Sequence, residues 1–504
     1  MDDPQIPLLT SDEPRRPEHR PTLSALSVAS IKIIRVPKVH SSDTIVFLLC
    51  GIILVASTSS GFASIPFTRI VEHILCRQYY DQVNVDGGPI DEKFCKTESI
   101  QSKMAFIFAI AGMLDSVVEF FAAFPWGIAA DRFGRKPVFA LGLIGLTLNL
   151  IWAVLVLWFD KIFPVQLMWL GSVCLLLGGG NAVLPAVLLT MVSDVVPEEK
   201  RAVAFLRTHV ASLVGNLMSP TLASLMMQIT GPWPTLMVAV VCLLSAAIAF
   251  LFIPETSKYE DSHTDEGLDQ PASFKVHLQH SFSHLKESLS ILKNPSLILL
   301  LLTALGSFPI TQAVLQFMVQ FVSKRYNIAI KYTGYIQTIY GVAQTLQALV
   351  VIPWISRWLL KDSTLSPFHM TNEHIRDLTL ARWSFGIIAV GALILGVAPS
   401  LGLFVFGLIV LAVGSAYNSL TRSLMTLYID PEHRSRLFSV VGMIEVVGAF
   451  YSRPMLAGLF SLGMKLGGGW IGMPYYALAI FCATMVVILL FVRLPKQDEY
   501  VHED

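Results

Sequence analysis

"GIAADRFGRK" occupies residues 127–136, and the reading of this stretch decides the fold. It places Asp131, Arg132, Arg135 and Lys136, with Gly127 and Gly134, between two long apolar runs. Charges cost several kcal/mol at the centre of a bilayer-crossing helix, so such a cluster belongs in a short turn at a membrane surface. Working outward, apolar runs of about 20 residues, the length that crosses a bilayer, recur along the whole chain. Twelve are counted, at roughly 45–66, 104–126, 137–159, 167–191, 202–228, 234–253, 297–321, 333–358, 381–398, 400–421, 437–462 and 475–493. The runs are continuous rather than alternating, which excludes a transmembrane barrel.

Composition agrees. The chain is 54% hydrophobic and 14% charged, where a soluble domain carries about 25% charged residues. Its partner is therefore a lipid bilayer. Formal net charge is zero, which leaves no basic surface for nucleic acid.

Orientation follows from lysine and arginine, which favour the cytoplasmic side. The larger share of these residues falls in the segments that lie on one side with the N-terminus. Both termini are then cytoplasmic, as is the turn at 127–136. Residues 67–103 form the first outer loop and contain Cys76 and Cys95. On that oxidising side disulfides persist, so a Cys76–Cys95 bridge is expected, with two free thiols as the alternative.

Residues 1–43 are a cytoplasmic tail rich in proline and charge rather than a cleaved signal. Two readings of its 22–36 stretch stand side by side: a disordered segment, or a basic amphipathic helix on the inner leaflet. "IPLLTSDEP" (6–14) sets a Leu-Leu pair beside acidic residues, in the manner of a weak sorting signal. Residues 44–253 are read as an N-terminal six-helix bundle, 254–294 as a cytoplasmic linker, 295–495 as a C-terminal bundle and 496–504 as a cytoplasmic tail.

The two bundles carry traces of a repeat. At one constant offset Gly180 meets Gly414, Ala182 meets Ala416, Met191 meets Met425, Pro197 meets Pro431, Glu198 meets Glu432 and Pro220 meets Pro454. Homologous six-helix halves related by an axis along the membrane normal are a known transporter plan. The expected fold is an all-α membrane protein with twelve transmembrane helices in two pseudo-symmetric six-helix bundles.

"GIAADRFGRK" also matches the signature G-x-x-x-D-R-x-G-R-[KR] found between spans 2 and 3 of the major facilitator superfamily. "D-x-x-P-E-E-x-R" (194–201) and "PET" (254–256) fall where that family has similar pieces. The chain thus resembles the major facilitator superfamily over residues 44–495. The outer-loop "CRQYY" (76–80) and "KFC" (93–95), and "GGGNAVLPAVLLTMVSD" (178–194), resemble fungal members related to the proton-coupled folate transporter group. The resemblance implies that Gly127, Asp131, Arg132, Gly134, Arg135 and Lys136 form a cytoplasmic latch between the halves. On the residues alone they need only fix topology. "GNLMSPTLAS" (215–224) has the outline of the family's antiporter motif, G-x-x-x-G-P-x-x-G-G, which leans toward export. Cys174 and Leu177 stand where drug:proton antiporters of the family carry Arg and Gln, so their proton relay does not transfer.

Ionisable residues inside spans mark function by default. Asp115 and Glu119 lie one turn apart in span 2 and share a face, which suits reversible proton binding. Glu445 in span 11 is the other candidate proton carrier, with Arg453 two turns on as its expected partner. Arg207 and His209 open span 5, and His209 heads a polar stripe through Ser212, Asn216 and Ser219. Gln312, Gln316 and Gln320 line one face of span 7, Gln337, Tyr340, Gln344 and Gln347 one face of span 8, and Tyr417, Asn418 and Arg422 mark span 10. Amides facing lipid would be unsatisfied, so these stripes point to a shared polar cavity.

No Walker A sequence, metal-spaced Cys/His set or G-x-S-x-G occurs, so neither cofactor nor enzymatic activity is expected. The reading is a monomeric secondary transporter that moves a small organic solute by alternating access, with protons as the coupling partner. Export of a metabolite or toxic compound is placed ahead of import of an organic anion or nutrient, and a transporter-like nutrient receptor comes last. The plasma membrane is the expected location, with the vacuolar membrane as the alternative.

Overall fold

The computed structural model describes residues 42–82, 91–253, 294–359, 373–429 and 434–494. The N-terminal tail with its 22–36 stretch and Leu-Leu pair, nearly all of the 254–294 linker, and the C-terminal tail lie outside the described residues.

Among the described residues every regular element is helical. In hydrocarbon a backbone must satisfy its own polar groups, and a continuous apolar helix does so. Twelve helices are long and apolar enough to cross a membrane: Ser42–Asp81, Glu98–Ala130, Arg135–Trp158, Val165–Val195, Val203–Thr230, Pro232–Leu251, Pro295–Leu315, Ile330–Ile355, Glu373–Val397, Leu401–Tyr428, Val440–Leu466 and Gly468–Leu490. These are spans 1 to 12 below.

Two boundaries differ from the sequence reading. Span 1 does not end near residue 66: its helix runs on to Gln82, so much of the expected outer loop is helix. Hydropathy falls at Arg69 and Glu72, but these two pair at 2.9 Å one turn apart, which lets the helix continue through them. Likewise the helix of span 2 extends to Phe133, so most of "GIAADRFGRK" is helical. The turn is confined to Gly134, whose φ of 96° is a conformation that glycine adopts without strain. Gly127 sits within the helix with open space where a side chain would project. It makes no close helix approach.

The repeat appears as matching defects. Span 4 breaks at Gly178–Gly180, all at positive φ, and resumes as the helix Gly180–Val195. Span 10 breaks after Val413 and resumes as Tyr417–Met425, so the paired Gly180 and Gly414 both mark a broken helix. Pro220 and Pro454 likewise lie inside the long helices Glu198–Thr230 and Arg434–Leu466.

Packing within spans 1–6 relies on small residues. A side chain at Gly61 would strike Ser219, and one at Gly215 would strike the span 1 backbone at Leu54. Close backbone approach of this kind drives helix association in lipid. Spans 7–12 instead share an aromatic core, in which Phe321 stacks on Phe404 at 5.7 Å and meets Tyr475 edge-on at 4.8 Å.

Candidate functional site

A cavity of about 670 Å³ lies between spans 1–5 on one side and spans 7, 8 and 11 on the other. Its size is that of a site for a small organic ligand. Of the sequence-derived candidates, Asp115, Asn216, Gln312, Gln316, Tyr340, Gln344 and Arg453 line it. Arg207, His209, Asn418, Glu119 and Glu445 are not among its lining residues. Arg207 and His209 are exposed on span 5. The stripe that His209 heads, through Ser212, Asn216 and Ser219, reaches the cavity lining only at Asn216.

Arg453 crosses from span 11 to span 2. Its guanidinium donates to the Gly112 carbonyl, to Ser116 Oγ at 3.4 Å and to Gln312 Oε1 at 3.3 Å. Gly112 makes room for it: a Cβ there would collide with the guanidinium. The carboxylates whose charges it feels are Asp115 and Glu119. The expected Arg453–Glu445 pair does not form. Glu445 instead accepts from Arg422 of span 10 at 2.5 Å, because Arg453 points across the interface between the halves.

Asp115 and Glu119 share a face of span 2 but have separate anchors on span 4. Asp115 Oδ1 accepts from Ser172 Oγ at 2.6 Å. Glu119 Oε1 accepts from the Asn181 backbone N–H at 2.8 Å and its Nδ2 at 3.0 Å. The break at Gly178–Gly180 exposes the N-terminus of the second half of span 4, and a helix N-terminus favours a negative group. A side chain at Gly180 would press on the Glu119 carboxylate, so the glycine run shapes this seat.

The end of the molecule beyond the cavity carries a Cys76–Cys95 disulfide. Beside it, Glu72 is fully buried and accepts from Lys96 Nζ at 2.6 Å and from Gln101 Nε2 at 2.7 Å. Lys96 also pairs with Glu92 at 3.1 Å and reaches Ser323 Oγ, in the helix that follows span 7, at 2.5 Å. Glu92 Oε1 takes the Ile330 N–H at 2.9 Å, Lys324 donates to the Lys96 carbonyl, and Gln320 Nε2 donates to the Gln101 carbonyl at 2.6 Å. Burial lowers the Lys324 amine from the ordinary lysine value. Ser102–Ser461 at 2.6 Å and Thr221–Thr338 at 2.8 Å add further bonds between the halves. This clasp was missed in the sequence. Its signal was the run of paired charges Arg69, Glu72, Glu92 and Lys96 around two cysteines.

At the opposite end Arg135 pairs with Asp194 and donates to the Thr190 carbonyl at 2.9 Å. Both partners lie on span 4, so this bond joins the two signature stretches within one half, where the resemblance implied a latch between halves. Arg132 is exposed there and Lys136 half-buried. Asp131 is helical, and its side chain lies outside the described residues.

Among the described residues, twelve apolar helices around a cavity lined by both apolar and polar side chains, closed by a clasp at one end, define a multi-pass membrane transporter of small solutes. The family model described as Major Facilitator Superfamily matches residues 95–370. The chain belongs to that family. It is 29% identical over 450 residues to "MFS efflux pump atnC" of Emericella nidulans, covering 86% of this chain and 85% of the relative. It is 26% identical to "Efflux pump ustT" of Aspergillus flavus, covering 80% and 79%. Among solved structures, a D-xylose–proton symporter superposes with a TM-score of 0.60 at 12% identity, covering 90% of this chain and 98% of that one. The nucleoside transporter NupG gives 0.57 at 14%, covering 88% and 98%. These likenesses bear on the fold alone.

Proposed function

We propose that the protein exports a small organic solute in exchange for protons. The observation that carries this reading is Arg453 of one half, which lines the cavity with Asp115 of the other and bonds span 2 at Gly112 and Ser116, so that it lies beside the Asp115 and Glu119 carboxylates, Glu119 standing one turn outside the cavity wall. Protonating a carboxylate changes the attraction across that interface, which couples proton binding to the relative position of the halves. The names of the two fungal relatives support export. The clasp closes the end that the charge bias assigns to the outside, so the conformation described here is taken as facing the cytoplasm.

Residues 44–253 and 295–495 act as the two moving bodies, joined by the 254–294 linker. Asp131, Arg132, Gly134, Arg135 and Lys136 hold the cytoplasmic side in the opposite conformation, when the clasp is open. One chain holds a whole cavity, so the working unit is a monomer in the plasma membrane with both termini cytoplasmic. No enzymatic step is assigned to it.

The test is uptake of a panel of labelled solutes into inside-out plasma-membrane vesicles, with and without an imposed proton gradient. Gradient-dependent uptake that is lost in Asp115→Asn or Glu119→Gln, with exchange at equal pH retained, supports the reading. Uptake indifferent to the gradient overturns proton coupling. Loss in Glu445→Gln alone moves the coupling site to the second half. Import of an organic anion is the second reading, favoured by Arg453 in the cavity wall, and uptake confined to right-side-out vesicles establishes it.

A further inference from the structure

The two walls of the cavity differ in chemistry. Spans 1 to 5 contribute most of its apolar surface, including Phe67 and Phe108, whose rings lie 5.9 Å apart and tilted by 31°, with Leu146, Leu150 and Met168 beside them, although Ser60, Ser64, Thr68, Asn149, Ser172 and Asn216 of the same spans also line it. Spans 7 and 8 contribute four glutamines, Gln312, Gln316, Gln337 and Gln344, together with Tyr340. Gln316 and Gln344 are exposed to this space and have no hydrogen-bond partner among the described residues. Gln337 donates its amide to the Leu315 carbonyl at 3.2 Å, while its Oε1 is buried without a partner. An amide oxygen that is buried is costly unless bonded, which applies to Gln337 Oε1, and the exposed amides of Gln316 and Gln344 offer both donors and acceptors to a ligand in the cavity.

The charges are not available in the same way. Asp115 and Arg453 are the only acidic and basic lining residues among those described, and they are of opposite sign. Arg453 is already committed to Gly112, Ser116 and Gln312. Asp115 is held by Ser172 and has Arg453 as counter-charge. An anion entering the cavity meets a guanidinium whose charge is already compensated by the span 2 carboxylates, and a carboxylate in the same wall. A cation meets a carboxylate that is already compensated. Either would lose its hydration with little return.

We infer that the solute is a neutral amphiphile: an apolar ring face that lies on Phe67 and Phe108, and an opposite edge of hydroxyls or amides read by the glutamines of spans 7 and 8. This rests on the reading of the cavity as the solute pathway, and it names the chemical class that the pathway takes.

Binding to the purified, detergent-solubilised full chain tests the class independently of direction and coupling. The probes are para-nitrophenyl glucoside, the matching glucuronide, the matching amino-sugar, and para-nitroanisole, which lacks the polyol; calorimetry reads their affinities. The glucoside is expected to bind at least about tenfold more tightly than the glucuronide, the amino-sugar or the anisole, the factor that one well-made hydrogen bond or one badly placed charge commands. Gln316→Leu and Gln344→Leu should each weaken the glucoside about three- to tenfold and leave the anisole unchanged. Asp115→Asn should narrow the gap between glucoside and glucuronide by freeing the Arg453 charge. A charged probe that binds as well as the glucoside, or no glucoside binding up to its solubility limit, overturns the class. Glucoside binding that neither glutamine variant changes places the ligand elsewhere and overturns the pathway reading instead.

Discussion

Glu92→Gln is the sharpest perturbation of the clasp. Glu92 is 17% exposed and makes three contacts of two kinds. Its bonds to Arg69 at 3.3 Å and Lys96 at 3.1 Å lie within one half, so they persist whichever way the halves are rocked. Only the bond from the Ile330 N–H, at 2.9 Å, joins the halves, and only that bond weights the closed state over the open one. A hydrogen bond to a carboxylate is worth about 1.5–3 kcal/mol and a neutral one about 0.5–1.5. Replacing the carboxylate by its amide therefore removes about 1 kcal/mol of preference for the closed clasp. With about 1.4 kcal/mol per tenfold, the ratio of closed to open should fall about fivefold. Lys96 keeps Glu72 at 2.6 Å, so no buried charge is stranded and the fold should survive.

Spin labels at Thr230→Cys and Lys465→Cys, both exposed at this end, report the separation of the halves by electron–electron dipolar spectroscopy. Cys50, Cys174, Cys242 and Cys482 are free thiols and are replaced first, while the disulfide is kept. Glu92→Gln should move population from the short to the long distance, and Ser323→Ala, which deletes the Lys96 contact across the interface, should do the same. Unchanged distance distributions in both variants would falsify the assignment of the clasp as the outer gate.

The remaining predictions probe single residues. Gly127→Ala should be neutral or stabilise by up to about 1 kcal/mol, the helix-propensity gain, while Gly134→Ala should destabilise because of its positive φ; thermal unfolding of the purified protein separates them. Cys76→Ser should lower stability by about 3 kcal/mol on the loop-entropy account; because both cysteines are buried, maleimide labelling is read after unfolding, and equal labelling of the unfolded wild type with and without reductant sinks the bridge. Glu445→Gln replaces the carboxylate that pairs with Arg422 by an amide that can still accept from it, and it should leave the pH dependence of vesicle uptake unchanged. Glu119→Gln should alter that pH dependence at constant KM, whereas Gln344→Leu should raise KM and leave the pH dependence alone.

The twelve spans were legible because hydrocarbon imposes a long, continuous apolar pattern that survives in any single sequence. Their ends were less so. Hydropathy stops at a charge, but a helix stops only where its backbone does, and Arg69–Glu72 shows a helix passing through a charged pair. Half of the candidate site was legible for the same reason: a glutamine at helical spacing in an apolar run must face something polar, and Gln312, Gln316 and Gln344 do. Partners were not. Whether Arg453 meets Glu445 on its own helix or Gly112 on another depends on rotation of span 11 against span 2, which no one-dimensional spacing contains.

The repeat adds a last step. Gly180 and Gly414 break spans 4 and 10 at matching places, yet the two halves use the break differently. In the first, the freed helix N-terminus at Asn181 seats the Glu119 carboxylate. In the second, Ser415 beside the break bonds Gln347 of span 8 at 3.1 Å, an uncharged contact. The cavity repeats this division, with its carboxylate on span 2 and its row of glutamines on spans 7 and 8. One inherited defect thus serves a titratable group in one half and a neutral hydrogen-bond network in the other. A titratable group answers to protons and an amide does not, so on the proposed function the two seats divide proton handling from solute recognition. That separation is the physical reason why Glu119→Gln and Gln344→Leu are expected to act on different kinetic quantities.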